Sequence, residues 1–370
     1  MWRRIQEKFP SPINMYILAI DTSADETAVA IVQGRKIISN ATHSQILLHN
    51  KWGGIYPSLA KRAHIERIDF VIEEACKKFL KTIPSKKKGD SPIVSAMNLI
   101  DAVAVTQGPG LAIALEVGIQ KAKDLAKTYG KKLIAVNHME GHIYSCFAQN
   151  QKGNPKNPFE FPYLALLVSG GHTELVLFKD HLTYKVLGET LDDAGGEALD
   201  KAAKLLGLGY PGGPLIETLS AQVQNKDEYR LPRPMKNSDD LNFSFSGLKT
   251  AFYYLLKEMD EKEINKRMKY LASSFQEAVF ESLLIKTKKA MEKTGVNKIL
   301  LGGGVSANMY LRKRLRDLVK DKGGNAYFPV YPYLSGDNAA MIGVAASYKA
   351  KKSLFVKDFD SLDRVPRLTL

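Results

Sequence analysis

The segment His138-Met139-Glu140-Gly141-His142 sets two imidazoles four positions apart, directly after the apolar run Leu133-Ile134-Ala135-Val136. On a helix, residues four apart share a face, about one turn from each other. Two imidazoles placed that way can bind one metal ion. The metalloprotease signature His-Glu-x-x-His puts its glutamate right after the first histidine, aimed at the metal-bound water. Here Glu140 comes two positions after His138, roughly 200° around a helix of 3.6 residues per turn. It therefore faces away from the metal side. The pattern fits a metal pair and excludes a zincin protease.

Asp337 stands where a loop enters the small-residue helix Asp337-Asn338-Ala339-Ala340-Met341. Read alone, it is a helix N-cap, a position aspartate fills well. Read as a ligand, it completes a two-histidine, one-carboxylate set with open positions, suited to iron(II) or zinc acting as a Lewis acid. The residues by themselves leave both roles open. His64 and His172 are further candidates, each first of all a hydrogen-bonding residue. Asp192, Asp193, Glu197 and Asp200 open a helix, where acids favour the dipole. Asp200 shares a face with Gly196 and Glu197 and is a candidate for ribose hydroxyls.

Glycine-rich turns let a backbone approach phosphate closely. Four occur: Gln107-Gly108-Pro109-Gly110, Ser169-Gly170-Gly171, Tyr210-Pro211-Gly212-Gly213-Pro214 and Gly302-Gly303-Gly304-Val305-Ser306-Ala307-Asn308. The last satisfies the dinucleotide fingerprint G-x-G-x-x-A, but only about 60 residues follow it to build a second nucleotide half. A nucleotide site suits it better than a nicotinamide site, with Asn308 as side-chain donor and acceptor. Ser246-Gly247-Leu248-Lys249-Thr250 lacks the glycine spacing of a P-loop.

The elements that must position these residues read as alternating strands and helices. Strands are expected at Tyr16–Ile20, Ala28–Val32 and Lys36–Ser39, and the same opening returns at Tyr163–Val168, Glu174–Phe178 and Leu182–Leu187. Such long-period self-similarity predicts two related lobes with a cleft between them. Further strands are expected at Ala102–Thr106 and Lys298–Leu301. Helices are expected at Ala60–Phe79, Leu111–Tyr129, Ala194–Leu206, Phe245–Glu258, Met268–Lys293 and Val305–Val319, and the whole is an α/β architecture. Thr82–Ser95 reads as a loop and Gln151–Pro162 as a linker. The expected divisions are a flexible extension at 1–14, an N-terminal lobe at 15–150 and a C-terminal lobe at 158–336. A C-terminal segment of about 337–370 is free to pack back on the first lobe.

With 45% hydrophobic and 25% charged residues, the chain of 370 has a globular balance. No apolar run approaches the ~20 residues of a membrane span, and the opening residues lack a secretory signal. Cys76 and Cys146 have no metal-type spacing and read as thiols in a reducing compartment. The net charge of +14, from 53 basic and 39 acidic residues, predicts attraction to a polyanion such as a nucleic acid. Basic stretches recur at Lys77–Lys88, Lys121–Lys132, Lys286–Lys293, Arg312–Lys322 and Lys349–Lys352.

Seven motifs occur in order: His138-Met-Glu-Gly-His142, Leu167-Val-Ser-Gly-Gly-His-Thr173, Leu191-Asp-Asp-Ala-Gly-Gly-Glu-Ala-Leu-Asp-Lys201, Gly209-Tyr-Pro-Gly-Gly-Pro214, Phe243-Ser-Phe-Ser-Gly-Leu-Lys-Thr250, Gly303-Gly-Val-Ser-Ala-Asn308 and Asp337-Asn-Ala-Ala-Met341. With them the chain resembles the tRNA N6-adenosine threonylcarbamoyltransferases of bacterial and mitochondrial type, a family once described as O-sialoglycoprotein endopeptidases. The resemblance covers residues 16–345. It implies the two-lobed actin/sugar-kinase/Hsp70 fold, with duplicated ribonuclease H-like lobes and a central cleft. It implies His138, His142 and Asp337 as ligands of one divalent metal ion, iron(II) ahead of zinc. It implies Leu167, Val168, Ser169, Gly170, Gly171, Asp200, Gly213 and Asn308 as contacts to threonylcarbamoyl-AMP.

The resemblance further implies transfer of the threonylcarbamoyl group to N6 of the adenosine 3′ of the anticodon (position 37), in tRNAs reading codons that begin with A, with release of AMP. Implied partners are tRNA and, for a bacterial cytoplasmic member, a non-catalytic paralogue and an ATPase. A member of the mitochondrial matrix would need neither, and no membrane is involved. Departures from the family pattern are Ala24 in place of cysteine, Ile113 and Glu116 after Gly110, and Ser335-Gly336 before Asp337. A small-molecule kinase of the same fold and a non-catalytic nucleotide-binding regulator are the competing readings. The kinase has no use for the histidine pair, and the regulator would be expected to have lost it.

Overall fold

The computed structural model describes residues 14–83 and 91–370. The expectations for the extension before Asn14 and for the run Lys86–Lys88 lie outside the described residues. The chain forms two compact units. The first contains residues 14–45, Ile55–Phe159 and Asp337–Leu370; the second contains Ile46–Gly54 and Glu160–Gly336.

In the first unit, β1 (Tyr16–Asp21) runs antiparallel to β2 (Glu26–Gln33), and β2 antiparallel to β3 (Lys36–Ser44). On its other edge β1 is parallel to β4 (Ala102–Gly108), and β4 to β5 (Lys132–Asn137). The sheet order is β3-β2-β1-β4-β5. β1 is apolar almost throughout because both of its faces are covered, as a central strand requires. Leu18 and Ile20 join a core with Ile68 and Ile72 of the helix Pro57–Leu80 and with Leu115 and Ile119 of the helix Ala112–Tyr129. Ala19 points the other way, as strand alternation dictates, toward Gly343 of the helix Ala339–Lys351. A side chain at Gly343 would lie 2.7 Å from Val32 Cγ2, so glycine lets that helix lie close on the sheet.

The segment after that helix returns past the start of β5 and then crosses the carboxyl ends of β4 and β5. Val356 N donates to Leu133 O at 2.8 Å, Val365 N to Gln107 O at 2.9 Å, and Gly110 N to Pro366 O at 3.2 Å. Gln107 Nε2 donates to Asp363 O at 3.0 Å, and Asn137 Nδ2 to Thr369 O at 3.0 Å.

The second unit repeats the plan. β6 (Tyr163–Val168) pairs antiparallel with β7 (Thr173–Asp180), and β7 with β8 (Thr183–Glu189). β6 is parallel to β9 (Lys298–Gly302), and β9 to β10 (Asn325–Tyr327). The order β10-β9-β6-β7-β8 matches the first sheet strand for strand. Its core joins Leu164, Leu166 and Val168 to Phe275 and Val279 of the long helix Glu261–Thr294, and to Ala198 and Ala202 of the helix Gly195–Leu205.

Two expectations need correction. The stretch read as a helix over Val305–Val319 is a 3-10 turn at Gly304–Ala307 followed by a helix at Met309–Lys320. Asn308 separates them, its extended backbone and capping side chain starting the α-helix afresh. The end of the expected loop Thr82–Ser95 is instead helix, Pro92–Met97. Ser91 Oγ accepts from Val94 N and proline takes the first helical position, which together nucleate a helix start.

Candidate functional site

β5 ends at Asn137, and the buried helix His138–Ser145 follows at once. Asn137 caps it, Oδ1 accepting from Met139 N at 2.7 Å. The spacing of four then brings the rings of His138 and His142 to 4.6 Å between centroids, at 82° to each other. Asp337 enters from the far end of the same unit. His138 Nε2 lies 3.2 Å and His142 Nε2 3.4 Å from Asp337 Oδ1. Asp337 is not the helix cap. Asn338 takes that place, Oδ1 accepting from Met341 N at 2.9 Å, which releases the neighbouring carboxylate to the histidines.

The ligand atoms of His138, His142 and Asp337 lie within 4.8 Å of one another. Burial would strip His138 of its proton, but Asp337 and Asp21 outweigh it and hold the ring up at about 10. Burial, with the neighbouring His138 charge, pushes His142 below its ordinary value against the pull of Asp337. Burial also opposes the Asp337 anion, yet His138 first and His142 second hold its carboxyl well below the usual range. Two imidazoles and a carboxylate thus meet in a buried site that a cation would fit. Neither ring nitrogen of His142 has a hydrogen-bond partner, nor has Nδ1 of His138. Buried polar atoms left unpaired are costly, and a divalent ion taking both Nε2 atoms and the carboxylate would satisfy this donor set.

The other histidine candidates stay out of this cluster. His64 is fully buried and sits between Thr27 Oγ1 at 2.8 Å and Ala24 O at 3.0 Å, a hydrogen-bonding role. His172 belongs to the β6–β7 turn, its backbone N donating to Ser169 Oγ at 3.1 Å.

In the second unit the glycine turns gather at the carboxyl ends of β6 and β9. Leu167 and Val168 are buried in β6, and Ser169-Gly170-Gly171 forms the turn, with open space at both glycines. Gly196 N donates to Ser169 O at 3.1 Å, and a Cβ at Gly196 would stand 2.4 Å from that oxygen. Gly303 (φ 86°) passes Val168 O just as closely. Asp200 Oδ1 accepts from Gly212 N at 2.7 Å and Gly213 N at 3.2 Å, so it starts the helix Gly212–Ala221. Asn308 spends Oδ1 on Leu311 N and gives Nδ2 to Gln276 Oε1 at 3.0 Å. Its side chain therefore works as a cap and a cross-link within the unit.

Several cations from the basic stretches are committed inside their units. Lys286 is 2% exposed and donates to Ser238 Oγ at 2.6 Å and Asp240 O at 2.8 Å. Arg314 pairs with Glu277, and Arg312 donates to Pro329 O and Ser335 Oγ. Of the departures, Glu116 is half exposed and pairs with Lys61 at 2.9 Å.

With this geometry in place, comparison with known proteins decides the family. The family model described as tRNA N6-adenosine threonylcarbamoyltransferase matches residues 36–344. The chain belongs to this family. Proteins of that name from Kosmotoga olearia, Thermosipho africanus and Staphylococcus aureus resemble it closely. The first is 46% identical over 92% of this chain and 95% of its own length, and the second 44% over 96% and 100%. The third is 43% identical over 92% of this chain and 94% of its own length. The chain is thus an acyltransferase-type enzyme of tRNA modification.

Two solved structures of HypF, one in a phosphate- and nucleotide-bound form and one from T. kodakarensis, share the fold at 14% identity, with TM-scores of 0.54 and 0.58. They align over 92% and 93% of this chain, which spans about half of theirs, 56% and 48%. The fold is the duplicated α/β type of the actin/sugar-kinase/Hsp70 class. No described helix is long and apolar enough to cross a membrane.

Sequence reasoning passed over two residues of this site, Asp21 and Asn137. Both end strands of a partly parallel sheet, the end at which α/β proteins bind their ligands, and that rule was the available signal.

Proposed function

We propose that the protein transfers the threonylcarbamoyl group of threonylcarbamoyl-AMP to N6 of the adenosine at position 37 of tRNAs that read codons beginning with A. The N6 amine attacks the carbamoyl carbon, the carbon–oxygen bond to the phosphate breaks, AMP leaves, and one N6 proton passes to solvent. The observation that carries the reading is the intact trio His138, His142 and Asp337 in a chain of this family. Those three residues would hold one divalent ion, iron(II) ahead of zinc, which supplies Lewis-acid polarisation of a carbonyl or phosphate oxygen.

The remaining steps belong to the chain itself. The Gly170 and Gly171 amides of the Ser169-Gly170-Gly171 turn are suited to phosphate and developing oxyanion charge, while the Gly213 amide is held by Asp200. Asp200, already orienting the Gly212–Gly213 turn, keeps that turn fixed while substrate binds. An exocyclic adenine amine is a poor nucleophile, so positioning of amine and anhydride supplies much of the rate. The excess of 14 positive charges favours the tRNA polyanion.

The test is incubation of the protein with threonylcarbamoyl-AMP and unmodified tRNA, followed by digestion to nucleosides and mass spectrometry. Separate arms add a non-catalytic paralogue and an ATPase partner. Modified adenosine is expected, with AMP released in equal amount. Its absence in every arm, or phosphate transfer from ATP to a small molecule instead, overturns the reading.

A further inference from the structure

Asp21 ends β1 and is fully buried. Its Oδ1 accepts the Thr106 hydroxyl of β4 at 2.7 Å, and its Oδ2 has no hydrogen-bond partner. The same Oδ1 stands 3.7 Å from His138 Nδ1, a ring nitrogen that is likewise buried and unpaired. Two polar groups that each need a partner thus face each other in the dry interior of the first unit. We infer that Asp21 is a positioning residue for His138, accepting its Nδ1–H when Nε2 is given to a metal ion.

The inference rests on the metal reading above and deepens it. An imidazole that offers the Nε2 lone pair carries its hydrogen on Nδ1, and a buried N–H without an acceptor costs about 1–3 kcal/mol. A shift of about 0.8 Å would close the gap to an ordinary hydrogen bond. A carboxylate in that place fixes the tautomer and ring plane and makes the ligand more basic, and losing such a partner typically lowers metal affinity about 10–100-fold. Thr106 has a role of its own. Its hydroxyl, fixed on the neighbouring strand, holds the Asp21 carboxylate toward the ring. The carboxylate oxygen of Asp21 nearest the site faces His138 Nδ1, so Asp21 acts on the ligand set first through that ring.

The experiment is an anaerobic titration of the metal-free full chain with Co²⁺, reading the visible absorption of the bound ion, alongside thermal unfolding of metal-free and loaded protein. Wild type, His142→Ala, Asp21→Asn and Thr106→Val are compared. Wild type is expected to bind, and His142→Ala to lose binding. Asp21→Asn should bind about 10–100-fold more weakly, and Thr106→Val more weakly by a smaller factor. Thermal unfolding of the metal-free proteins establishes that each variant folds, and the stabilisation added by Co²⁺ should be smaller in Asp21→Asn than in wild type. A merely structural aspartate would lower the metal-free unfolding temperature and leave the affinity of the folded protein unchanged.

Wild-type affinity in Asp21→Asn, while His142→Ala loses the ion, overturns the inference and spares the metal site. Equal binding by wild type and His142→Ala overturns both. Should Asp21→Asn fail to fold, Thr106→Val carries the same test, and wild-type affinity in that variant overturns the inference.

Discussion

Glu140 and Lys349 form an ion pair at 3.1 Å, with side chains 8% and 19% exposed. Glu140 sits between His138 and His142, and Lys349 lies on the helix that follows Asp337. The contact is charge against charge rather than a directed hydrogen bond, since Glu140 Oε2 meets no donor in good geometry. It ties the helix of the histidine pair to the helix that follows Asp337. Glu140→Ala leaves Lys349 without its counter-charge in a largely buried place, so stability should fall by roughly 2 kcal/mol. Pairing Glu140→Gln with Lys349→Met should recover most of that loss. Urea midpoints of the single and double variants check this, and a single variant as stable as wild type would refute it.

Gly196 has no room for a side chain. A Cβ there would stand 2.4 Å from Ser169 O and 2.7 Å from its carbonyl carbon, both backbone atoms with little freedom to yield. Gly196→Ala should therefore displace the Ser169-Gly170-Gly171 turn and cost about 1–3 kcal/mol. Thermal unfolding reads the cost. Calorimetry with AMP or threonylcarbamoyl-AMP reads the turn, and affinity should fall at least tenfold.

Glu174 on β7 stands opposite Glu189 on β8. Burial first, and the Glu189 charge second, push the Glu174 carboxyl up to about 7. A raised carboxyl binds its proton more readily in the folded chain. Its contribution to stability is therefore complete below the ordinary glutamate value of 4.5 and is lost as pH rises through about 7. Glu174→Gln should flatten this part of the stability–pH curve and gain on the order of 2 kcal/mol at about pH 8. Denaturant midpoints at several pH values decide it, and an unchanged slope would show that the carboxyl does not titrate in that window.

The C-terminal segment can be removed. A chain ending at Leu362 loses the bonds from Val365 to Gln107, Gly110 to Pro366, Gln107 to Asp363 and Asn137 to Thr369. At about 0.5–1.5 kcal/mol each, less the ordering entropy regained, the net loss should be about 2 kcal/mol. Amide exchange should rise at 107–110 and at 137–139, where the helix of the histidine pair begins. Unchanged protection at 137–139 would mean that Asn137 holds its cap without Thr369.

Much of the scaffold was legible because the physics that sets it is local. Tyr163–Val168 is a strand with the expected bounds, since an unbroken apolar run before a Ser-Gly-Gly turn has few other uses. The repeat of β1–β3 in β6–β8 followed from the same pattern. The histidine pair was legible from spacing alone. Asp337 was harder, because aspartate and asparagine are both good caps and adjacent letters do not say which one caps. The structure gives the cap to Asn338. Asp21 was illegible for a different reason. A carboxylate after an apolar strand looks like any turn residue, and its partner His138 opens a helix more than a hundred residues on, beyond the reach of local pattern. Asn308 looked free to meet a ligand, and only the fold reveals Gln276 beside it.

The first unit is discontinuous in the chain: Asp337 and the strap at 363–369 come only after residues 160–336, which build the second unit. A polypeptide emerging N-terminus first therefore exposes β1–β5 and the histidine helix for as long as those 177 residues (336 − 160 + 1) take to be made. At about 5–20 residues per second that is on the order of 10–30 s, during which His138 and His142 are present and their carboxylate is not. The second unit can complete its sheet during translation, while the first must wait for the last helix and strap. Assembly of the His138, His142 and Asp337 cluster is thereby deferred to a late stage of biosynthesis, so a prematurely terminated chain would carry both imidazoles without the carboxylate.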